Sequence, residues 1–195
     1  EDKKIVVDYS SPNIAKPLGV HHLLSTVIGQ ALTNILEEVG NTIIRTNYVG
    51  DWGTQFGKLI YAYKQCGDEK KVKKDPIPEP LKLYVKFHDE AEKNDSIEDS
   101  ARAEFKKLEE GNKENKDLWE WIVKISIEEI NKVYDLLGGI YFDNYKGESH
   151  VENKLKEVVK EGMSEGIITA GEKGALIINL EDNDMPPYLI KKSDG

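Results

Sequence analysis

Apolar positions change period several times along the chain, and the changes mark out its elements. Residues 5–9, IVVDY, form a short apolar run that predicts a buried strand. From Val20 to Val39 the period becomes helical. Leu23, Val27, Ala31, Ile35 and Val39 fall four apart, with Ile28, Leu32 and Leu36 beside them. Gly40 ends that helix, and TIIRTNYV reads as a second strand. Strand, helix and strand in so short a span predict a βαβ unit with parallel strands and a right-handed crossover. An apolar helical segment, LIYAYKQC, follows GDWGTQFG at 50–57.

Beyond it the periodicity is lost. Residues 67–80 read as a charged connection broken by prolines. Residues 81–93, 98–110 and 115–137 then predict three helices rich in Lys and Glu. The last places Leu118, Trp121, Ile122, Ile125, Val133 and Leu136 on one side and stops at Gly138-Gly139. Residues 150–163 predict a polar helix, and IITA and ALIINL flank GEKG as a hairpin. YLIKKSDG reads as a final strand. There is no internal repeat and no low-complexity tract.

The expected fold class is α/β: the first half of a Rossmann-like nucleotide-binding fold with a mostly helical insertion. The expected domains are a βαβ half-domain at 1–66, an insertion with a small hairpin at 67–187, and a strand at 188–195 returning to the catalytic sheet.

Composition narrows the class. The chain has 195 residues, one cysteine and a net charge of −9. Residues 1–66 are neutral, with six basic and six acidic side chains, so the remainder carries all the excess. An acidic surface repels phosphate backbones, so strong nucleic-acid binding by these residues alone is not expected. No apolar run is long enough to cross a membrane, EDKK lacks a signal-peptide pattern, and Cys66 cannot form an internal disulfide. A cytoplasmic protein is the expectation. The absence of an initial Met and the ending KKSDG suggest a piece of a longer chain. With His88 and His150 isolated, no zinc-site spacing exists and no resident metal is expected.

The candidate chemistry lies in SSPNIAKPLGVHHLLST, residues 10–26. Pro12 and Pro17 hold the loop extended. The helix that follows offers unpaired N–H groups and a partial positive charge at its start, which suits a phosphate. His21 and His22 add donors there, Lys16 adds a point charge, and Gly19 lets a ligand approach the backbone. Two histidines at a helix start are equally readable as partly exposed polar residues, Lys16 as an exposed loop lysine, and Asp8 as a solvated strand-end carboxylate. Open α/β sheets bind ligands at the carboxyl ends of their strands, which favours a site here. GDWGTQFG reads as a tight strand-to-helix turn with an aromatic plug, mainly structural. Trp119 and Trp121 read as core or interface residues, and the KKVKK run as solvated surface.

VVDYSSPNIAKP, the histidine-bearing helix start and TNYVGDWGTQFG together resemble arginyl-tRNA synthetase, a class I aminoacyl-tRNA synthetase. The resemblance is closest over 5–65. It resumes at LWEWIVKISIEEINKVYDLLG, at FDNYKGES (142–149) and at PPYLIKKSDG.

It implies an ATP-dependent, AMP-forming ligase that joins arginine to tRNA through an arginyl-adenylate, with Mg²⁺ accompanying the ATP. It also implies roles for residues. Ser11 and Asn13 match a segment whose Asn contacts the amino acid, and Asp8 stands where the family has an acidic residue near the substrate side chain. Lys16 matches a lysine that assists the ATP phosphates. His22 matches the second histidine of the His-x-Gly-His signature, which stabilises the pyrophosphate leaving group.

The chain departs from that signature. It reads Gly19-Val20-His21-His22, so Gly replaces the first histidine and His21 replaces the glycine against which adenine packs. Leu24 stands in place of an arginine. A tolerated variant, a changed adenine pose and an impaired enzyme are all open. The tRNA contacts, a Tyr-x-Thr-Arg-Asp segment and a second lysine signature are expected outside these residues, so the piece alone should have little ligase activity. The alternatives are another nucleotidyl transferase with a related signature, and a degenerate synthetase-like binding or regulatory module without ATP turnover.

Overall fold

The computed structural model describes residues 3–14, 18–94, 96–180 and 185–192. The chain divides into two compact units, residues 1–149 and 150–195.

The first unit is built on a parallel three-stranded sheet. Strand β1 (Lys4–Asp8) leads through a loop to helix α1 (Val20–Glu38), and the chain returns in β2 (Thr42–Val49). β1 and β2 pair in parallel from Lys4 opposite Thr42 to Asp8 opposite Thr46. Helices α2 (Thr54–Cys66), α3 (Glu69–Lys74), α4 (Pro78–Ala91), α5 (Ser96–Glu109) and α6 (Lys113–Leu136) follow. The chain then re-enters the sheet as β3 (Asn144–Gly147), parallel to β2, giving the order β1-β2-β3. The βαβ expectation therefore holds.

The expectation that the chain rejoins this sheet only at its end does not hold, because β3 does so at Asn144. β3 is four residues of NYKG, too short and too polar to show a period. What makes it a strand is its neighbour, β2, whose open edge it pairs with from Thr46–Asn144 to Val49–Gly147.

The predicted connection at 67–80 also contains a helix. Asp68 caps α3, its carboxylate accepting hydrogen bonds from the backbone N–H groups of Lys70 and Lys71. Pro78 then sits in the first turn of α4, where a missing N–H costs nothing.

The core joins both parts of this unit. Tyr9, Ile14 and Val49 from the strands and loop pack with Phe56, Leu59 and Ile60 of α2 and with Ile122, Ile130 and Tyr134 of α6. Between α2, α5 and α6, Lys64 pairs with Glu104 at 2.8 Å and donates to Asn115 Oδ1 at 2.6 Å. The buried Asn115 amide donates in turn to the Glu104 carbonyl at 2.7 Å, so the three helices enclose a satisfied polar cluster.

Helix α1 packs unexpectedly. It buries Thr26, Gly29 and Thr33, while Val20, Leu24, Val27, Ile28, Leu32, Ile35 and Val39 are each at least half exposed. A Cβ at Gly29 would lie 2.3 Å from Cγ of Tyr9, so the small face is what allows the helix so close to the sheet. At the far end of α1, Glu37 forms a two-pronged pair with the buried Arg45 of β2, at 2.9 and 2.5 Å. That hydrogen bond lowers the Glu37 carboxyl below its ordinary range and raises Arg45.

In the second unit, α7 (Leu155–Ser164) precedes an antiparallel sheet of β4 (Thr169–Ala170), β5 (Leu176–Ile178) and β6 (Tyr188–Lys191). β4 and β5 flank GEKG as predicted. β6 pairs with β5, with Tyr188 opposite Ile178. The nearby hairpin already offers β6 a free edge a few residues away in sequence. No described helix is long and apolar enough to cross a membrane.

Candidate functional site

The candidate residues gather where the parallel strands end. Asp8 is the last residue of β1 and is exposed. Its Oδ1 accepts hydrogen bonds from the backbone N–H of Tyr48 at 3.2 Å and from the Ser11 hydroxyl at 3.3 Å. The carboxylate is thus aimed by β2 on one side and by the loop on the other.

The loop itself is held in an uncommon shape. Ser10 and Ser11 both have positive φ, 72° and 47°, a region that non-glycine residues seldom occupy. The surroundings hold them there. Asn47 Oδ1 accepts the Ser11 N–H at 3.1 Å, and Asn47 Nδ2 donates to the Tyr134 hydroxyl at 3.0 Å. Tyr134 OH lies 2.6 Å from Ser10 Oγ, and Ser10 Oγ lies 2.7 Å from Thr26 Oγ1. Thr26 also donates to the carbonyl of His22 at 2.6 Å. A buried chain of polar groups therefore ties β2, α6, the loop and the first turn of α1 together, and strain at such a loop is a mark of function. Burial raises the Tyr134 hydroxyl above its ordinary value, so it stays protonated and able to donate.

Asn13 is exposed and bridges to Gly50 at the end of β2, with the Ile14 N–H donating to the Gly50 carbonyl at 3.2 Å. A Cβ at Gly50 would lie 2.2 Å from Asn13 Oδ1, so only glycine lets the asparagine sit there. Beside Asn13 opens a cleft of about 370 Å³, also lined by Trp52, Gln55, Lys58, Tyr84 and Glu148. Burial, with the charge of Asp51 nearby, raises the Glu148 carboxyl above the usual carboxylate range.

Gly19 caps α1, and the exposed His21 and half-buried His22 lie in its first turn. The Gly19 N–H donates to Nδ1 of His22 at 3.0 Å. The two imidazole rings are 3.9 Å apart at their centres, with their Nε2 atoms 3.1 Å apart. Burial first, and the neighbouring His21 second, lower the pKa of His22. A neutral ring that accepts at Nδ1 carries its hydrogen on Nε2. Leu24, one turn on, points its side chain into solvent. Lys16 lies outside the described residues.

GDWG is fixed by its surroundings, in line with the structural reading. The Asp51 carboxylate accepts from the backbone N–H and the hydroxyl of Ser149, at 2.9 and 2.7 Å. Trp119 Nε1 donates to the Asp51 carbonyl at 2.7 Å, and the Trp52 ring meets that of Trp119 edge-on at 5.3 Å. Sequence reasoning missed Asn47, Asp51 and Tyr134 as supports of the site. Asn47 and Asp51 stand inside the TNYVGDWG segment that carried the resemblance, and that was the only signal for them. Among the described residues, no three His, Cys, Asp or Glu side chains converge as a metal site.

Chemically, the arrangement offers an aimed carboxylate, an amide and a hydroxyl at one strand end, and two imidazoles at a helix N-terminus. The first set suits a cationic, hydrogen-bonding ligand. The second suits phosphate oxygens.

Known proteins match the chain throughout. A family model for the catalytic domain of the arginine-specific class I tRNA synthetases, "tRNA synthetases class I (R), catalytic domain", covers residues 1–195. Arginine–tRNA ligase 2 of Bacillus anthracis is 48% identical over 194 residues, which is 100% of this chain and 34% of that protein. The arginine–tRNA ligase of Clostridium botulinum (strain Loch Maree / Type A3) is 51% identical over 195 residues, with the same coverage. The crystal structure of arginyl-tRNA synthetase from Plasmodium falciparum superposes with a TM-score of 0.72 at 30% identity, covering 98% of this chain and 32% of that one. Thermus thermophilus arginyl-tRNA synthetase shares the fold, with a TM-score of 0.67 at 22% identity over 98% of this chain and 33% of its own. The chain thus spans about a third of the length of the relatives it matches. It belongs to the catalytic-domain family of class I tRNA synthetases for arginine.

Proposed function

We propose that the whole protein is a cytoplasmic arginine–tRNA ligase and that these residues form the first half of its activation site. The observation that carries the reading is convergence. Asp8, Ser11 and Asn13 lie at the carboxyl ends of β1 and β2, beside a helix start bearing Gly19, His21 and His22, in a chain matched by the family from end to end. Relatives named as ligases over the same residues do not favour a module without turnover.

In this reading the substrates are arginine, ATP and tRNA. Asp8 pairs with the guanidinium of arginine, while Ser11 and Asn13 orient its amino-acid end. A carboxylate oxygen of arginine attacks the α-phosphorus of ATP, the bond to the bridging oxygen of the β-phosphate breaks, and pyrophosphate departs. A terminal ribose hydroxyl of tRNA then attacks the activated carbonyl, and AMP leaves.

His22 shares its Nε2–H, which faces Nε2 of His21, with phosphate oxygens as charge moves onto the leaving group, a gain realised mainly in the transition state. The first turn of α1 beyond Gly19 supplies backbone donors, and Lys16 a point charge. Positioning carries the remainder of the rate. ATP would bind as its Mg²⁺ complex, the ion supplying neutralisation of part of the triphosphate charge.

The test is arginine-dependent exchange of pyrophosphate into ATP by the full-length protein, measured with and without tRNA. His22→Ala should lower kcat by roughly 10²–10³-fold, as removing one transition-state donor does elsewhere. Asp8→Asn should raise the KM for arginine and leave that for ATP nearly unchanged. No arginine-dependent exchange by the unaltered protein would overturn the reading. The 195 residues alone should show little turnover.

A further inference from the structure

Gly19 has no conformational reason to be glycine. Its φ of −85° and ψ of 166° are open to any residue. Alanine in such an unstrained position ordinarily stabilises a chain by restricting the unfolded state. What glycine provides here is space, and that space is filled. A Cβ at Gly19 would lie 2.7 Å from Cε1 and 2.9 Å from Nδ1 of His21, closer than such atoms approach. The imidazole of His21 is thus folded back over residue 19.

From that seat the ring reaches His22. The Nε2 atoms of the two histidines are 3.1 Å apart, and the Gly19 N–H occupies Nδ1 of His22. Since His22 carries its hydrogen on Nε2, it is the donor of this contact and Nε2 of His21 the acceptor. His22 is therefore gripped at both ring nitrogens, by a backbone N–H on one side and by His21 on the other.

We infer that Gly19 and His21 act as one coupled unit, in which Gly19 makes room for the His21 ring and His21 holds the orientation of the His22 imidazole. His21 is on this account a positioning residue, acting on ATP through His22. The inference rests on the proposed ligase reading for its effect on activity, but not for the coupling itself.

A double-mutant cycle in the full-length protein tests it, with pyrophosphate exchange and ¹⁵N spectra of the His22 ring as readouts. His21→Ala should weaken the ATP KM or kcat by about tenfold, the lower end of what loss of an orienting partner costs at metal sites. The KM for arginine should stay nearly constant. Gly19→Ala should cost about as much by evicting the His21 ring, and in the His21→Ala background it should cost almost nothing further. His21→Gln, which keeps an acceptor, should recover most of the loss. Both alanine variants should shift the His22 ring nitrogens in the same way.

Additive effects of the two alanine substitutions, or a neutral His21→Ala with unmoved His22 signals, would overturn the coupling. If the unaltered protein shows no arginine-dependent exchange, the ligase reading fails. The cycle is then scored on the ¹⁵N signals alone, so the two failures can be told apart.

Discussion

Helix α1 and the later helices α2 and α6 carry similar apolar stripes in sequence but use them in opposite ways. α2 and α6 turn Phe56, Leu59, Ile60, Ile122 and Ile130 inward to a shared core. α1 turns inward Thr26, Gly29 and Thr33, and leaves six large apolar side chains at least half exposed. A 3.6-residue period therefore establishes that a helix has an apolar face, but not which face meets the sheet. At α1 the deciding contact is Tyr9, whose ring permits nothing larger than glycine at residue 29. The close approach brings the first turn of α1, with Thr26 and His22, onto the loop that carries Ser10. The site depends on the polar face of α1 being the buried one.

The largest expected contrast lies in the polar cluster between α2, α5 and α6. Burial alone would raise the Glu104 carboxyl, but hydrogen bonds from Lys107, Lys64 and Asn115 outweigh it and hold the carboxyl at about 2. An unfolded glutamate titrates near 4.5. Above that pH both states are ionised and the contribution is complete. As the pH falls from 4.5 toward 2 only the unfolded chain takes up the proton, and stability is lost. The full loss is ~3 kcal/mol for a shift of this size. Denaturant unfolding at pH 6 and pH 3 should show about 2 kcal/mol of it, and Glu104→Gln should flatten that part of the profile. A profile unaltered by Glu104→Gln would remove the cluster from the comparison.

Next is the seam between α1 and the sheet. Gly29→Ala places a methyl group where Tyr9 already stands, and overpacking of this kind costs about 1–3 kcal/mol. The helix must then lift from the loop, so the cost should be accompanied by weaker ATP binding in the full-length protein. Denaturant midpoints, with ATP KM measured in parallel, check both parts. A stability loss with unchanged ATP KM would mean that the seam and the site are separable.

The same contrast explains what could be read in advance. β2 was legible to the residue as TIIRTNYV, because its β-branched run ends in turn residues on both sides. The hairpin around GEKG was legible for the same reason. β3 was not, since Asn144–Gly147 becomes a strand only because β2 offers it an edge. The site residues were legible as a group through a short, continuous loop. Their supports were not, because Tyr134 meets Ser10 across 124 residues of sequence. The packing of His21 against Gly19 was equally hidden. From the sequence His21 reads as a side chain competing for adenine's space, and only the backbone at residue 19 shows where its ring lies.

The smallest expected effect concerns the exposed stripe itself. Leu32 is half exposed on α1. Leu32→Ser in the 195-residue chain should therefore change stability by no more than ~0.5 kcal/mol, as surface substitutions do. A soluble domain seldom leaves so continuous an apolar face uncovered, and the relatives are about three times as long as this chain. In the full-length protein the same substitution should cost more, approaching the ~1.5–3 kcal/mol of a fully buried leucine if the face is covered there. Equal, small effects in both would leave α1 as a helix with a solvent-facing apolar stripe. A large effect in the short chain would mean that the stripe is already buried and that the contrast with α2 and α6 is false.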